Sequence, residues 1–238
     1  MAPKKRSKKS SAKASPSSTP RRAGRNSDRT DLEELPPIKL RIIGGRFRGR
    51  PVQYRGDRAT RPMRDSVREN LFNILGKSGV TGVIAWDLFS GTGVLGMEAV
   101  SRGASRAVCI EWNRPAAKTI EASAAELGMD DRVEVLMGDA FRLGPEKMEE
   151  ETDDTPWLVF FSPPYAFWTE QEATMCGLVR WVARRAPLGS VLVTESDRNW
   201  DPERLPGEGW DVRTYGHTQL AFFEPQLLCG MDPDNLPD

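Results

Sequence analysis

Hydrophobic and polar positions divide the chain near residue 39. Residues 1–30 are mostly Lys, Arg, Ser, Ala and Pro, with no apolar periodicity. Such a stretch cannot bury enough surface to offset chain entropy and is expected to be disordered. Residues 31–38 read as a linker ending in Pro36-Pro37. Lys39-Leu40-Arg41-Ile42-Ile43 then alternates as a strand does, glycines at 44, 45 and 49 punctuate, and Pro51 to Tyr54 resumes the pattern. The spacing predicts a small β-hairpin or curled ribbon. Pro62 opens a predicted helix to about Leu75. Val67, Leu71, Ile74 and Leu75 fall at helical spacing, and Gly76 and Gly79 stop it.

From Val80 the pattern changes. Predicted strands at 83–88, 107–110, 133–136, 157–161 and 190–195 alternate with predicted helices at about 93–101, 114–127 and 169–185. An acidic stretch, Glu146 to Asp154, reads as a connection before the fourth strand, and 210–215 with 219–223 forms a closing hairpin. Strands and helices alternating at this length predict an α/β fold, a doubly wound and mostly parallel sheet with right-handed crossovers. Four segments are expected. They are a basic tail and linker over 1–38, a hairpin-plus-helix extension over 39–79, an α/β domain over 80–225, and a C-terminal tail over 226–238.

Composition narrows the class. No run in the 238 residues approaches the roughly 18 consecutive apolar residues of a membrane span. The polar N-terminus has no apolar core of a secretory signal, so a cytoplasmic protein without membrane contact is expected. Three scattered cysteines exclude a disulfide scaffold and suit a reducing compartment. A single histidine, His217, removes nearly every metal site or triad built on imidazole, and no metal is expected. Charge is formally balanced at 34 basic and 34 acidic residues, yet residues 1–68 hold 20 basic and 6 acidic side chains. That asymmetry suggests a basic arm or face for a polyanion.

Ligands of such sheets sit outside the carboxyl ends of the strands. The loops of interest therefore begin at Asp87, Glu111, Asp139 and Ser162. Gly91, Gly93 and Gly96 spell G-x-G-x-x-G between a strand and a helix, and Glu111 ends the next strand 20 residues after Gly91. A carboxylate there can accept from ribose hydroxyls, so a nicotinamide dinucleotide competes for this pattern. Two features favour S-adenosylmethionine instead. Asp87 precedes the glycines, where a carboxylate would repel a pyrophosphate and attract a sulfonium or ammonium. Ser162-Pro163-Pro164-Tyr165 follows the fourth strand, leaving the Pro163 carbonyl free to accept from a substrate N–H and Tyr165 (with Phe167 or Trp168) to stack on a base.

Residues 39–225 resemble the bacterial 16S rRNA guanine-N2 methyltransferase family of the RsmD type. The matching stretches are 40–50, Thr60-Arg61-Pro62, 67–75, Asp87 to Glu98, Ser101-Arg102-Gly103-Ala104, Ser162 to Tyr165 and Tyr215-Gly216-His217-Thr218. The resemblance implies a class I S-adenosylmethionine-dependent fold of Rossmann type. It implies a cofactor site of Asp87, Phe89, Gly91, Thr92, Gly93, Glu111, Trp112, Asp139 and Ala140. It implies a target-base pocket of Ser162, Pro163, Pro164 and Tyr165, and an RNA grip by Arg41, Arg46, Arg48, Arg50, Arg61 and Arg64. The implied reaction is methylation of the exocyclic N2 of a guanine in 16S rRNA, with the assembling small subunit as partner and a monomeric enzyme. The family's motif usually begins with Asp, whereas this chain has Ser162. That departure leaves open a catalytically weak rRNA-binding assembly factor, and the proline-tyrosine motif is shared with adenine-N6 DNA methyltransferases.

Overall fold

A computed structural model of the chain describes residues 40–54, 56 and 62–225. The predicted tail at 1–38, Lys39, Arg61 and the segment 226–238 lie outside the described residues. Seven strands form one sheet: β1 (Ile84–Asp87), β2 (Arg106–Glu111), β3 (Val133–Met137), β4 (Trp157–Phe161), β5 (Val191–Asp197), β6 (Asp211–Tyr215) and β7 (Thr218–Phe223). Their order is β3-β2-β1-β4-β5-β7-β6. The first five are parallel, and β7 runs antiparallel to both β5 and β6. β1 and β4 are buried at every position, as central parallel strands covered on both faces must be.

Helices α1 (Asp65–Leu75), α2 (Val94–Arg102), α3 (Arg114–Leu127), α4 (Ala140–Met148), α5 (Phe167–Glu170) and α6 (Glu172–Arg185) complete the fold. Alternation along the strands sorts the side chains into two cores. Ala85, Cys109 and Phe160 meet Leu71, Met97 and Ile120 in one core, and Trp86, Val159 and Phe161 meet Trp168, Met175 and Val179 in the other. Among the described residues, no helix is long and apolar enough to cross a membrane.

Three elements differ from the sequence expectation. α1 begins at Asp65, three residues after Pro62. The segment between β3 and the acidic stretch, where no helix is expected, carries α4, which runs into the start of that stretch and whose N-cap Asp139 accepts from the Phe141 amide at 3.0 Å. Gly144-Pro145 resembles a break, but a proline inside a helix forfeits one backbone hydrogen bond rather than the whole element. The helix expected at 169–185 is split at Gln171 (φ −130°, ψ 30°) into α5 and α6.

The N-terminal ribbon pairs through the Ile42 amide on Arg50 O and the Val52 amide on Leu40 O, both 2.9 Å, around one Arg41–Pro51 bridge. Its apolar side chains, Leu40, Ile42 and Val52, enter the core shared by α1 and α2. Polar contacts clamp it to α2. The Ile43 amide donates to Glu98 Oε2 at 2.8 Å, and the Phe47 amide to Ser101 Oγ at 3.0 Å. Ser101 Oγ donates to Gly44 O at 2.6 Å. Gly45 has φ +72°, and a Cβ there would lie 1.9 Å from Ser101 O, so only glycine allows this approach. Beneath the ribbon, fully buried Arg68 donates to Met63 O, Arg41 O and Asp65 Oδ1. Its Nε lies 3.9 Å from buried Glu98, which also accepts from Arg102 Nε at 2.7 Å.

Candidate active site

The site collects at the carboxyl ends of the parallel strands. β1 ends at Asp87, aligned with Cys109 on β2 and Phe160 on β4. The chain then turns through residues 88–93. The Ser90 amide donates to Ile110 O at 3.0 Å, and Ser90 Oγ donates to Asp87 O at 2.6 Å. Gly91 and Gly93 adopt φ of 52° and 69°. A Cβ at Gly93 would lie 2.5 Å from Ile120 Cγ2, and one at Gly96 would lie 2.7 Å from Cys109 Sγ. The first two glycines therefore serve the turn, and the third seats α2 against the sheet.

Asp87 is buried, and one oxygen, Oδ2, accepts from the Gly96 amide at 3.2 Å. Its other oxygen, Oδ1, is buried without a donor. Burial, with the nearby charges of Glu111 and Glu195, outweighs that hydrogen bond and pushes the carboxyl up to about 7. A buried carboxylate with an open oxygen calls for a cation or an N–H donor. Glu111, at the end of β2, accepts from the Gly91 amide at 2.7 Å and from the Asn113 amide at 2.8 Å. Each carboxylate oxygen has a second lone pair, so these bonds fix the group and leave it able to accept from a diol. Beside it, Trp112 is 81% exposed and Met137, paired with Glu111, is half exposed. Two bare apolar side chains at adjacent strand ends offer a flat ring a place to lie.

Asp139 follows these strand ends at the N-cap of α4, with Ala140 buried behind it. Phe89, Phe141 and Phe167 form an aromatic cluster, with ring centroids 5.6 to 6.2 Å apart. Thus the loop after β1, the start of α4 and the start of α5 share one wall.

After β4 the chain runs Ser162-Pro163-Pro164-Tyr165, with Pro163 buried and Pro164 exposed. Tyr165 is half-buried, and its hydroxyl donates to Glu195 Oε1 at 3.0 Å and meets Thr218 Oγ1 at 2.9 Å. Burial and the Glu195 charge push this phenol up to about 12, so it stays protonated. Trp168 is fully buried, packs against Trp200 at 4.8 Å and donates Nε1 to Glu195 O at 2.7 Å. It is a core residue and no ring for a substrate base. Sequence reasoning missed Glu195 and Thr218. The rule that ligands sit at strand carboxyl ends was applied to β1–β4 but not to β5, which carries Glu195.

The arginines divide by their contacts. Arg41 pairs with Asp65 at 3.3 Å, and Arg50 donates to Glu126 O at 3.2 Å. Arg46 lies over the Phe47 ring at 5.4 Å. Arg46, Arg48 and Arg64 are exposed, with no carboxylate in ion-pair range among the described residues. Past the ribbon, Gln53 lies against α3, its amide donating to Ser123 Oγ at 3.1 Å. A hollow of about 440 Å³ opens between Gln53 and Tyr54 and the first turns of α3, with Arg114 and Lys118 on its rim. Because Asn113 caps α3 two residues after Glu111, this basic hollow lies at the same end of α3 as the crevice.

Several known proteins resemble this chain in sequence and fold. YlbH of Bacillus subtilis (strain 168), provisionally named an rRNA methyltransferase, is 29% identical over 191 residues, 78% of this chain and 98% of its own length. Ribosomal RNA small subunit methyltransferase D of Escherichia coli (strain K12) is 34% identical over 128 residues, 53% of this chain and 61% of its own length. The solved structure of the Escherichia coli protein yhhF, provisionally named a methyltransferase, superposes with a TM-score of 0.60 at 24% identity, covering 78% of this chain and 97% of the other. The sheet and its helices have the fold of class I methyltransferases. The open Asp87 oxygen would suit the cationic end of S-adenosylmethionine. The family described as conserved hypothetical protein 95 matches residues 40–224, and the chain belongs to it, the family of the RsmD-type methyltransferases.

Proposed function

We propose that this protein methylates the exocyclic N2 of a guanine in small-subunit rRNA. The observation that carries the reading is the union, in one compact unit, of a cation-seeking crevice at Asp87 with an arginine ribbon clamped to the same helix. The names of its relatives point to the same substrate class. S-adenosylmethionine supplies an electrophilic methyl on a sulfonium, so no metal is required.

In this reading Asp87 takes the ammonium of the methionine moiety, and Gly91, Thr92 and Gly93 let backbone pass close to it. Glu111 accepts from the ribose hydroxyls. Trp112 and Met137 flank the adenine, Asp139 accepts from its amino group, and Phe89 and Ala140 close the wall. The diproline turn holds the target base. No backbone N–H among the described residues donates to the Pro163 carbonyl, so it can accept from the substrate amine, and Tyr165, held by Glu195 and Thr218, presents its ring. A paired guanine hides N2, so the base must be unpaired or turned out of its stack. Arg46, Arg48 and Arg64 neutralise phosphates, and the basic hollow at Arg114 and Lys118 leads the strand toward the crevice.

The test is transfer of labelled methyl to small subunits lacking the modification, followed by nucleoside mapping of the product. N2-methylguanine at one site is expected. Transfer only to duplex DNA as N6-methyladenine overturns the reading. Arg46→Ala and Arg48→Ala are each expected to weaken RNA binding and to lower the slope of log affinity against log salt by about 1. Cofactor titration should be unchanged in both, and binding titrations between low and high salt check this.

A further inference from the structure

The diproline corner of this chain lacks the carboxylate with which its family's motif usually begins, and the structure brings one in from the neighbouring strand. Phe161 on β4 pairs with Thr194 on β5, so the next residues, Ser162 and Glu195, stand side by side at the strand ends. The Ser162 hydroxyl lies near enough to the Glu195 carboxylate to offset part of the burial that raises it. Glu195 is held from three further directions. Tyr165 donates to Oε1 at 3.0 Å, Trp168 donates to its backbone carbonyl at 2.7 Å, and its backbone pairs with Leu220 on β7. Thr218 fixes the Tyr165 hydroxyl in turn, at 2.9 Å.

We propose that Glu195 is a positioning residue for methyl transfer, acting through Ser162 to give a neutral hydroxyl the acceptor strength of a charged group. This rests on the methyl-transfer reading above. Ser162 donates its hydroxyl proton to Glu195, which raises electron density on Oγ and aims its lone pair at the substrate N–H. Charge-assisted bonds are roughly twice as strong as neutral ones, and chained bonds strengthen one another. In the reaction the amine lone pair forms the new N–C bond to the methyl carbon. The S–C bond breaks with its electron pair left on sulfur, releasing S-adenosylhomocysteine. The methylated nitrogen then sheds one proton to Ser162 Oγ as the serine proton passes to Glu195, and Glu195 returns it to water. The burial that pushes the Glu195 carboxyl above the ordinary range suits it to take that proton.

Single-turnover transfer to undermodified small subunits, at saturating cofactor and RNA, separates the possibilities. Glu195→Gln keeps the backbone bond to Trp168 and the shape of the side chain. It is expected to lower the rate constant tenfold or more while cofactor affinity and the melting temperature stay near wild type. Adding Ser162→Asp to Glu195→Gln puts a carboxylate directly on the substrate and should recover most of the loss. Ser162→Ala offers a route that does not alter the buried side chain. It should cost about as much alone, and Glu195→Gln added to it should cost less than twofold more. Three results overturn the proposal: a wild-type rate in Glu195→Gln, no gain when Ser162→Asp is added to it, or full additivity with Ser162→Ala. Wild-type protein that transfers no methyl overturns instead the reading on which it rests.

Discussion

Asp87→Ala is expected to weaken S-adenosylmethionine binding about 100-fold or more while the protein stays folded. Removing one partner of a buried charge pair costs about 3–5 kcal/mol, and about 1.4 kcal/mol is a tenfold change in affinity. The same carboxylate gives the binding a pH dependence whose sign follows from its environment. Its carboxyl is raised from 3.8 to about 7 in the unliganded protein, equivalent to about 4 kcal/mol against the charged form. A raised group contributes stability that is complete below 3.8 and is lost as pH climbs through about 7. The unliganded protein thus gives up stability to keep this carboxylate charged at neutral pH. A cationic ligand binds the charged form, so affinity should rise with pH up to about 7, roughly tenfold per unit, with release of one proton. Asp87→Asn should abolish that dependence and raise the melting temperature of the unliganded protein above pH 7. Calorimetric titration in two buffers of different ionisation heat counts the proton. An unchanged affinity in Asp87→Ala would remove this residue from the cofactor site.

The second large effect is on stability. Glu98→Ala is expected to cost about 3–5 kcal/mol, because it removes the buried counter-charge beside Arg68 and leaves that guanidinium only the partly exposed Asp65. At about 2–4 °C per kcal/mol for a domain of this size, the melting temperature should fall by about 6–20 °C. Two donors lose their acceptor together, the Ile43 amide at 2.8 Å and Arg102 Nε at 2.7 Å, and Arg68 Nε loses a carboxylate 3.9 Å away. Arg68 has no exposed surface through which to regain hydration. Glu98→Gln retains an acceptor and should lose less than the alanine variant. Thermal unfolding of the three proteins measures both losses, and equal melting temperatures would show that the ion pair contributes nothing net.

Much of this was legible in the sequence for identifiable reasons. The five parallel strands announce themselves because central strands are apolar throughout, as in Trp157-Leu158-Val159-Phe160-Phe161. The glycine turn is legible because backbone geometry demands glycine, with φ of 52° and 69° at Gly91 and Gly93. α4 was hidden because Gly144-Pro145 carries the local signature of a break, while the feature that starts the helix, the Asp139 cap, is a single residue. Nothing local in the sequence marks Glu98 and Arg68 as buried charges. Their burial depends on the ribbon, whose contacting residues lie 27 and 55 positions away in the chain, and no local pattern records that. Glu195 was missed for a similar reason. Its partners, Tyr165 and Thr218, come from opposite sides of it in the chain, and only the β4-β5-β7 register brings them together. Pairwise local patterns reveal elements, whereas the polar links that join them exist only once the strands are in order.

The nine-residue helix α2 has one more consequence. Its first turn is built into the glycine turn, and its last turns are gripped by the ribbon through Glu98 and Ser101. At about 1.5 Å per residue, it is a strut about 14 Å long between the glycine turn and the arginine ribbon. Trimming the protein to a minimal catalytic fragment beginning near residue 80 would strip one anchor from that strut and bare the core-facing side of its far end. The arm is therefore no detachable accessory, and a graft or truncation scheme for enzymes of this kind should carry it along with the sheet.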